Sequence, residues 1–318
     1  MLTTDINKAK EVLLKNGLIA IPTETVYGLA GNAYNETAIK KIFELKNRPF
    51  YNPLIVHIKS VAYLQHIACD IPDIALKLAN EFWPGPLTLV LKKQEHISDL
   101  ITAGKNTVAV RVPSHPLTLA LLDKLDFPLV APSANPFGSI SPTNAEHVLN
   151  YFGESLNVIL DGGECEKGLE STIIGFENNQ PVLYRHGSIS LEEIEKIVGK
   201  LSITTNNDKS PNSPGMLSRH YAPMTDTYLT NDISDLLKCF EGKKIGLLVF
   251  KSQIQNDNIL HQEILSKSGN FTEAAKNLYA AMHRLDQKKL DVIIAERLPD
   301  EGLGKTINDK LERATKKE

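Results

Sequence analysis

Cysteine is scarce in this sequence, which has 3 cysteines among 318 residues, Cys69, Cys165 and Cys239. Neighbouring cysteines lie 96 and 74 residues apart, whereas zinc sites and disulfide frameworks need closely spaced, repeated pairs. The sequence therefore predicts neither kind of site, and a reducing compartment, the cytoplasm, is expected.

Long apolar runs are also missing. No stretch of 18 consecutive apolar residues occurs, so the sequence predicts no membrane-spanning helix and no membrane partner. Residues 1–17 have charged side chains throughout, unlike a signal peptide. With 42% hydrophobic and 23% charged residues, the composition is that of a globular chain with a sizeable core.

An excess of positive charge is the third absence. Residues 1–200 contain 18 Lys and Arg against 22 Asp and Glu, and the remainder contains 17 against 16, for a net charge of −3. Neither part is a basic block, so non-specific binding to nucleic acid is not predicted. Any site that binds an anion must therefore depend on a local group of cations rather than on the net charge of the chain.

What the sequence does contain is an alternation of short apolar runs and helical patterns, which predicts an α/β fold with a twisted mixed sheet. The predicted strands are Leu18–Ile21, Leu54–Ile58, Leu87–Leu91, Val108–Val112, Leu129–Ala131, Val158–Leu160, Thr172–Phe176 and Val182–Tyr184. The predicted helices are Thr4–Lys15, Glu36–Leu45, Ile74–Phe82, Pro116–Leu125, Ala145–Phe152 and Leu191–Val198, the last with a Ser190–Glu193 capping box.

The character of the chain changes after Leu201. Residues 204–213 are polar and free of apolar side chains, which is typical of a linker. Beyond it, strands over 245–250 and 292–295 and helices over 272–285 and 306–314 predict a second, smaller α/β unit. We therefore expect a catalytic domain at 1–203, a linker at 204–224 and an extension domain at 225–318.

One apparent motif fails. Gly304-Lys305-Thr306 resembles the end of a phosphate-binding loop, but Pro299 stands where that loop needs its first glycine. No dinucleotide fingerprint, zinc-protease motif or cysteine pair occurs either, so no resident metal site is predicted.

Lys46 and Arg48 introduce the most informative loop. They end a predicted helix, where cations compensate the helix dipole, but Arg48 then enters a loop bracketed by Pro49 and Pro53. Prolines stiffen a loop and so aim its side chains. With no evident structural partner for either cation, the pair predicts an anion site suited to phosphate.

A second polar loop follows strand Leu129–Ala131. Thr143 and Glu146 predict a capping box for the next helix. Ser133, Asn135, Ser139 and Ser141 are then left in front of a helix N-terminus, a natural anion site. Together with Pro22–Leu29, Trp83–Thr88 and Arg111–Pro116, this places stiff polar loops at several strand ends, where α/β proteins bind ligands.

These segments carry a resemblance to a known family. The motifs PTETVYGL, K-x-R-P-x-x-N-P-L, FWPGPLT, VRVP, PSAN with SPT, DGG and EST occur in the family's order. The sequence resembles the YrdC-like threonylcarbamoyl-AMP synthases, in the long form with a C-terminal extension domain.

The resemblance implies a YrdC-like domain with an open cleft and a small Rossmann-like α/β domain. It implies that ATP, L-threonine and bicarbonate give threonylcarbamoyl-AMP and pyrophosphate, with Mg²⁺ accompanying ATP. The product would pass to the machinery that modifies tRNA, and tRNA itself would bind weakly or indirectly.

The resemblance also assigns site residues. Catalytic positions are Lys46, Arg48, Ser133 and Asn135. ATP-binding positions are Arg48, Asn52, Thr107, Ser133, Ser141 and Arg185. Threonine-binding positions are Thr25, His57, Arg111, the backbone of Ala131, and Ser171. Arg111 is the natural partner of the threonine carboxylate, because a guanidinium holds a carboxylate with two parallel hydrogen bonds.

The linker predicts a further ATP contact. Ser213–Pro223 mixes prolines and a glycine with Arg219, His220 and Tyr221, unlike the monotony of a spacer. We expect this segment to fold over the N-terminal cleft as a lid, with Tyr221 against ATP.

Two other hypotheses stay open at this point. The N-terminal domain could be an RNA-binding module without chemistry, in which Lys46 and Arg48 contact backbone phosphates. Alternatively, the chain could form a carbamoyl-adenylate for an acceptor other than threonine.

Overall fold

The structure is a computed structural model, which describes residues 1–205 and 211–316. The larger of its two sheets takes its strands from the first part of the chain. They are β1 (Leu2–Thr3), β2 (Ile19–Ile21), β3 (Gly28–Asn32), β4 (Ile55–His57), β5 (Leu87–Lys92), β6 (Thr107–Arg111), β7 (Leu129–Val130), β8 (Val158–Leu160), β9 (Thr172–Glu177), β10 (Gln180–Arg185) and β11 (Ser202–Ile203).

Helices cover this sheet and continue into the second part of the chain. They are α1 (Ile6–Leu14), α2 (Glu36–Lys46), α3 (Asp73–Phe82), α4 (Asp99–Thr102), α5 (Pro116–Asp123), α6 (Ala145–Phe152), α7 (Leu191–Val198), α8 (Ile233–Cys239), α9 (Phe271–Asp286) and α10 (Leu303–Thr315). Two short 3-10 helices occupy Val61–His66 and Gly153–Ser155. Within the described residues, no helix is long and apolar enough to cross a membrane.

The 11-stranded sheet has the order β1-β8-β2-β3-β7-β4-β6-β5-β9-β10-β11. It is mixed as predicted, because β4 pairs with β6 in parallel while β7 pairs with both β3 and β4 antiparallel. Apolar side chains of α2, α3 and the central strands form the largest core cluster. This core fixes the strand ends from which the polar loops leave.

The second sheet confirms the predicted smaller α/β unit. Its strands are β12 (Thr227–Thr230), β13 (Ile245–Val249), β14 (Ile259–Ile264) and β15 (Val292–Glu296), in the order β12-β15-β13-β14. All of its strand pairs are parallel. The linker prediction covers residues 206–210, which lie outside the described residues, and the three domain limits stay predictions.

The two units share a core. Val26, Ile140 and Leu169 of the first unit and Tyr221 of the linker pack in one cluster with α9 and α10. The Gly304-Lys305-Thr306 segment helps to join them. The Lys305 ammonium lies 2.6 Å from Glu192 of α7, and the Thr306 hydroxyl donates to the Gly187 carbonyl at 3.1 Å.

The capping predictions have opposite outcomes. The Ser190–Glu193 capping box of α7 is present in full. The predicted cap of α6 is wrong, because the N-cap is Asn144, whose side chain accepts from the backbone N–H of His147 at 2.8 Å. The helix begins one residue later than a Thr143 cap requires, so Thr143 instead contacts the His147 ring.

Candidate functional site

A cavity lined mainly by polar side chains lies over one face of the large sheet and is closed by the linker. His57 and Arg111 are directly opposite each other on β4 and β6, so their side chains share a face. Nine of the predicted site residues line this cavity. They are Thr25, Arg48, His57, Arg111, Ala131, Ser133, Ser171, Arg185 and Tyr221.

Lys46 and Arg48 are both held by backbone carbonyls. Asn47 ends α2 in the left-handed conformation, at φ 52°, which turns the chain sharply between the two cations. The Lys46 ammonium donates to the carbonyls of Ser133, at 2.5 Å, and Asn135. The expectation that these cations have no structural partner is therefore wrong, since main-chain acceptors have no signature in a sequence.

Arg48 shows the same arrangement. Its guanidinium donates to the carbonyls of Asn52 at 3.1 Å and Pro53 at 2.7 Å, which closes the loop back on itself. Burial and the nearby charge of Arg185 lower the pKa of Arg48 to about 9, so it remains charged at neutral pH. Burial and Arg48 likewise lower the pKa of Lys46 well below its usual value.

Arg185 approaches the cavity from β10. It donates to the Ser171 carbonyl at 2.9 Å, the Ser171 hydroxyl at 2.9 Å and the Pro214 carbonyl at 3.3 Å. The Ser171 hydroxyl also lies 2.7 Å from that of Thr88. Arg185 thus joins the loop before β9 to Pro214 of the linker.

Arg111 differs from the other cations because it has a carboxylate partner. Its guanidinium lies 2.7 Å from Glu24, and both side chains are about 5% exposed or less. It also donates to the Thr25 hydroxyl at 2.9 Å and the Gly85 carbonyl at 3.3 Å. A guanidinium has five N–H groups, so donors remain for a ligand carboxylate.

His57 lies beside this ion pair as a neutral imidazole. Its Nδ1 is 3.3 Å from the carbonyl of Ile55. Burial and the charge of Arg111 lower the pKa of His57 to about 3. The ring is therefore a neutral hydrogen-bonding wall of the cavity rather than an additional cation.

The remaining predicted residues do not line the cavity. Lys46 lies behind it, and Asn135 donates to the carbonyls of Pro136 and Ser139 at 2.9 Å. Asn52 is fully buried, and neither atom of its amide has a partner among the described residues.

Thr107 and Ser141 are the other two. Thr107 begins β6, four residues before Arg111 at the opposite end of the strand. That separation is roughly 13 Å at the usual rise of a strand. Ser141 is fully buried and donates to Glu170 at 2.6 Å. The roles given to these residues stay predictions.

The linker lies across the cleft, where the lid was expected. Pro214, Gly215, His220 and Tyr221 line the cavity, and the Ala222 N–H donates to the Gly138 carbonyl at 2.7 Å. Gly215 has a φ of 86°, and a Cβ there would lie 2.6 Å from Arg185. Only glycine fits this close approach.

Two polar atoms on cavity-lining side chains of the linker have no partner among the described residues. Within residues 1–205 and 211–316, the Tyr221 hydroxyl and His220 Nδ1 are buried without a partner. Burial and the surrounding cations lower the pKa of His220 well below its usual value, so its ring is neutral. Buried polar groups without partners are costly in a protein, and both belong to side chains that line the cavity.

Sequence reasoning missed two buried carboxylates, Glu24 and Glu170. Glu170 lines the cavity, and Glu24 is the ion-pair partner of Arg111, which lines it. Each belongs to a quoted motif, which was the available signal. The Arg111 and Ser114 contacts engage Glu24, and the Ser141 and Tyr279 hydroxyls engage Glu170. The described residues contain no group of three His, Cys, Asp or Glu side chains placed to hold a metal.

An α/β protein with buried cations and hydroxyls around a cavity, closed by the segment between two units, belongs to the class that binds a phosphorylated ligand beside a small polar one. Comparison with known families narrows this class. The family described as telomere recombination (Sua5, YciO and YrdC) matches residues 11–187. The family described as threonylcarbamoyl-AMP synthase, C-terminal domain, matches residues 189–315. The chain belongs to the threonylcarbamoyl-AMP synthase family in its long, two-domain form.

Individual relatives agree over nearly the whole chain. A threonylcarbamoyl-AMP synthase of Pyrococcus abyssi is 42% identical, over 94% of this chain and 90% of the relative. One of Bacillus subtilis is 39% identical, over 97% and 92%. The crystal structure of P. abyssi Sua5 complexed with L-threonine aligns with a TM-score of 0.91 at 41% identity, over 98% of this chain and 94% of that one.

Proposed function

We propose that this protein makes threonylcarbamoyl-AMP and pyrophosphate from ATP, L-threonine and bicarbonate. The amine of threonine adds to bicarbonate, with loss of water, to give a carbamate. A carbamate oxygen then forms a bond to the α-phosphorus of ATP while the bond to pyrophosphate breaks. The reaction needs no protein nucleophile, and its catalysis is positioning and charge stabilisation.

The observation that carries this proposal is the way in which the buried cations are partnered. Lys46, Arg48 and Arg185 donate to backbone carbonyls, and none of them has an ion pair among the described residues. Carbonyls orient a cation without cancelling its charge. The charges of Arg48 and Arg185, which line the cavity, therefore remain for the phosphates of ATP, and Lys46 holds the Ser133 carbonyl in the cavity wall.

The other side of the cavity suits threonine. Arg111 is neutralised by Glu24 but retains donors for a carboxylate, and Thr25 lies beside it. His57 is neutral and so adds no charge near the amine. A relative 41% identical to this chain has been solved with L-threonine, which supports threonine over another acceptor.

Mg²⁺ fits this site as part of the MgATP substrate. Glu170, the carboxylate that lines the cavity, is already engaged by two hydroxyls. Glu24, the partner of the lining Arg111, is engaged by that guanidinium and by the Ser114 N–H. We therefore place the metal on the phosphates of ATP, with few protein ligands.

The burial of the cations argues against an RNA-binding module. Lys46, Arg48 and Arg185 are 1%, 7% and 5% exposed, and a nucleic-acid backbone cannot reach side chains so deep in a closed cavity. We propose that tRNA receives the threonylcarbamoyl group from the released product, through separate transfer machinery. A cytoplasmic location stays a prediction.

The test is to incubate the purified protein with MgATP, L-threonine and bicarbonate. We expect pyrophosphate and an adenylate with the mass of threonylcarbamoyl-AMP, both dependent on all three substrates. Formation of the adenylate with another amine in preference to threonine would favour the other-acceptor hypothesis. Tight tRNA binding without any adenylate would favour the RNA-binding module.

A further inference from the structure

The second unit contacts the cavity only indirectly. Within the described residues, every side chain that lines the cavity belongs to residues 23–221, before the second sheet begins. Yet Tyr279, in the middle of α9, is fully buried against two of these lining residues, Glu170 and Tyr221. Through it the second unit contacts both of these lining residues at once.

The first contact of Tyr279 is to Glu170. The Tyr279 hydroxyl donates to Glu170 Oε2 at 2.8 Å, while the Ser141 hydroxyl donates to Oε1 at 2.6 Å. Burial and the charge of Glu170 raise the pKa of Tyr279 well above its usual value, so its hydroxyl keeps the proton that it donates. The carboxylate is thus fixed from both sides.

The second contact is to Tyr221. The two rings stack with their centroids 5.7 Å apart and their planes at 30°. Tyr221 has a φ of 65°, which a tyrosine adopts only where its surroundings fix it. Lys310 of α10 lies 5.0 Å from the centroid of the same ring and adds to this support.

We propose that Tyr279 is a positioning residue for ATP binding, which fixes Glu170 through its hydroxyl and Tyr221 through its ring. This inference rests on the proposed function for the identity of the nucleotide. One side chain of the second unit thereby sets both a carboxylate of the cavity and the aromatic residue of the linker. It gives the second unit a part in the reaction beyond that of a tether.

Two variants separate the two contacts. Tyr279→Phe removes the hydroxyl but keeps the ring, and Tyr279→Leu removes both. Tyr151→Phe is the matched control, since Tyr151 also lies where the two units meet. Its ring packs against His283, and its hydroxyl donates to the Ile140 carbonyl at 3.0 Å. It removes a comparable hydrogen bond without touching Glu170 or Tyr221.

We expect Tyr279→Phe to raise KM for ATP about tenfold, or about 1.4 kcal/mol, and KM for threonine by less than about threefold. Tyr279→Leu should also speed proteolytic cleavage of the linker, because Tyr221 loses its support. Tyr151→Phe should change neither KM. In the Glu170→Gln background, Tyr279→Phe should raise KM for ATP by less than about a further threefold, since both changes alter the same Tyr279–Glu170 interaction.

The proposal is overturned if Tyr279→Phe matches Tyr151→Phe in KM for ATP. The proposal is also overturned if Tyr279→Phe raises KM equally for ATP and threonine, in proportion to the loss in Tm. A third contrary result is an increase in KM for ATP that is fully additive with that of Glu170→Gln. Calorimetric binding of MgATP separates this result from the proposed function. Weaker MgATP binding by Tyr279→Phe supports the positioning role even if the wild-type protein makes no adenylate. Absence of the adenylate would refute the proposed function but not the positioning role.

Discussion

Replacing Lys46 by methionine tests whether a buried cation can serve both the fold and the reaction. Methionine keeps most of the length of the side chain and removes the ammonium. In the native protein Lys46 is 1% exposed. Its ammonium donates to the carbonyls of Ser133, at 2.5 Å, and Asn135. The substitution therefore removes a charge from the site and leaves two buried carbonyls without a donor.

The expected loss of stability follows from those carbonyls. Each buried acceptor left without a partner costs about 1–3 kcal/mol. Removing Lys46 also relieves its repulsion with Arg48, which lowers the pKa of Lys46 in the native protein. We expect a net loss of about 2–4 kcal/mol in the free energy of unfolding. For a unit of this size, that is a Tm lower by roughly 4–16 °C.

The expected loss of turnover is separate. A donor that stabilises developing charge typically contributes about 10²–10³-fold in kcat. Pyrophosphate release should fall by that factor when it is measured well below the lowered Tm, where the variant is folded. Lys93→Met is the control: Lys46 holds the carbonyl of Ser133, which lines the cavity, whereas Lys93 donates to the Ile97 carbonyl at 2.9 Å and pairs with Asp99, and neither of these residues lines it. Near-normal turnover of Lys46→Met at a lowered Tm would refute the catalytic role and leave a structural one.

Four further outcomes can be checked. Tyr221→Phe should leave Tm unchanged or higher, because its hydroxyl has no partner in the described structure, yet should raise KM for ATP about threefold to tenfold; an unchanged KM would show that ATP does not use the hydroxyl. Burial lowers the pKa of His283 from 6.5 to about 4 in the folded protein. The neutral ring therefore contributes its full share to the free energy of unfolding above about pH 6.5, and this contribution is lost as the pH falls towards 4. His283→Gln can still donate to the Ser141 carbonyl but does not titrate, so its Tm should fall less steeply between pH 6.5 and 5, and equal slopes would contradict this. A chain truncated after Gly199 should bind threonine but make less adenylate or hydrolyse more of it; full activity, with a linker that protease cuts equally fast with and without ATP in the intact protein, would reduce the linker to a tether. Threonine should be preferred over serine only modestly, by about 1–3 kcal/mol for one methyl, and equal use in competition would favour another acceptor.

The parts of the fold that the sequence predicted are those with strong local patterns. β8 and the first four residues of β6 are continuous β-branched or apolar runs, as strands buried on both faces require. β3 was missed because its sequence, GLAGN, contains two glycines and no β-branched residue. It is a strand because β2 and β7 pair with it on either side, which is long-range information. β14 was missed as an edge strand with polar residues at half of its positions.

For the site, too, local motifs were predictable from the sequence and long-range contacts were not. Proline-bracketed loops at strand ends indicated where the cavity lies, and most residues assigned by resemblance do line it. The sequence could not indicate that Glu24 pairs with Arg111, because the two residues are 87 positions apart and the ion pair depends on the fold. It also could not indicate that Tyr279 reaches Glu170 across the two units.

The distribution of partners among the cations explains how one cavity can bind two different anions. If Lys46, Arg48 and Arg185 were paired with carboxylates, as Arg111 is with Glu24, a triphosphate would have to displace those carboxylates and leave them buried. Backbone carbonyls avoid this competition, because they orient each cation and remain in place when a ligand binds. Burial, with repulsion from Arg48, lowers the pKa of Lys46, and burial, with repulsion from Arg185, lowers that of Arg48. A polyanion relieves this repulsion, and a single carboxylate relieves it only weakly. The neutralised Arg111 suits the single charge of threonine, so the two halves of the cavity differ in the ligand charge that they favour.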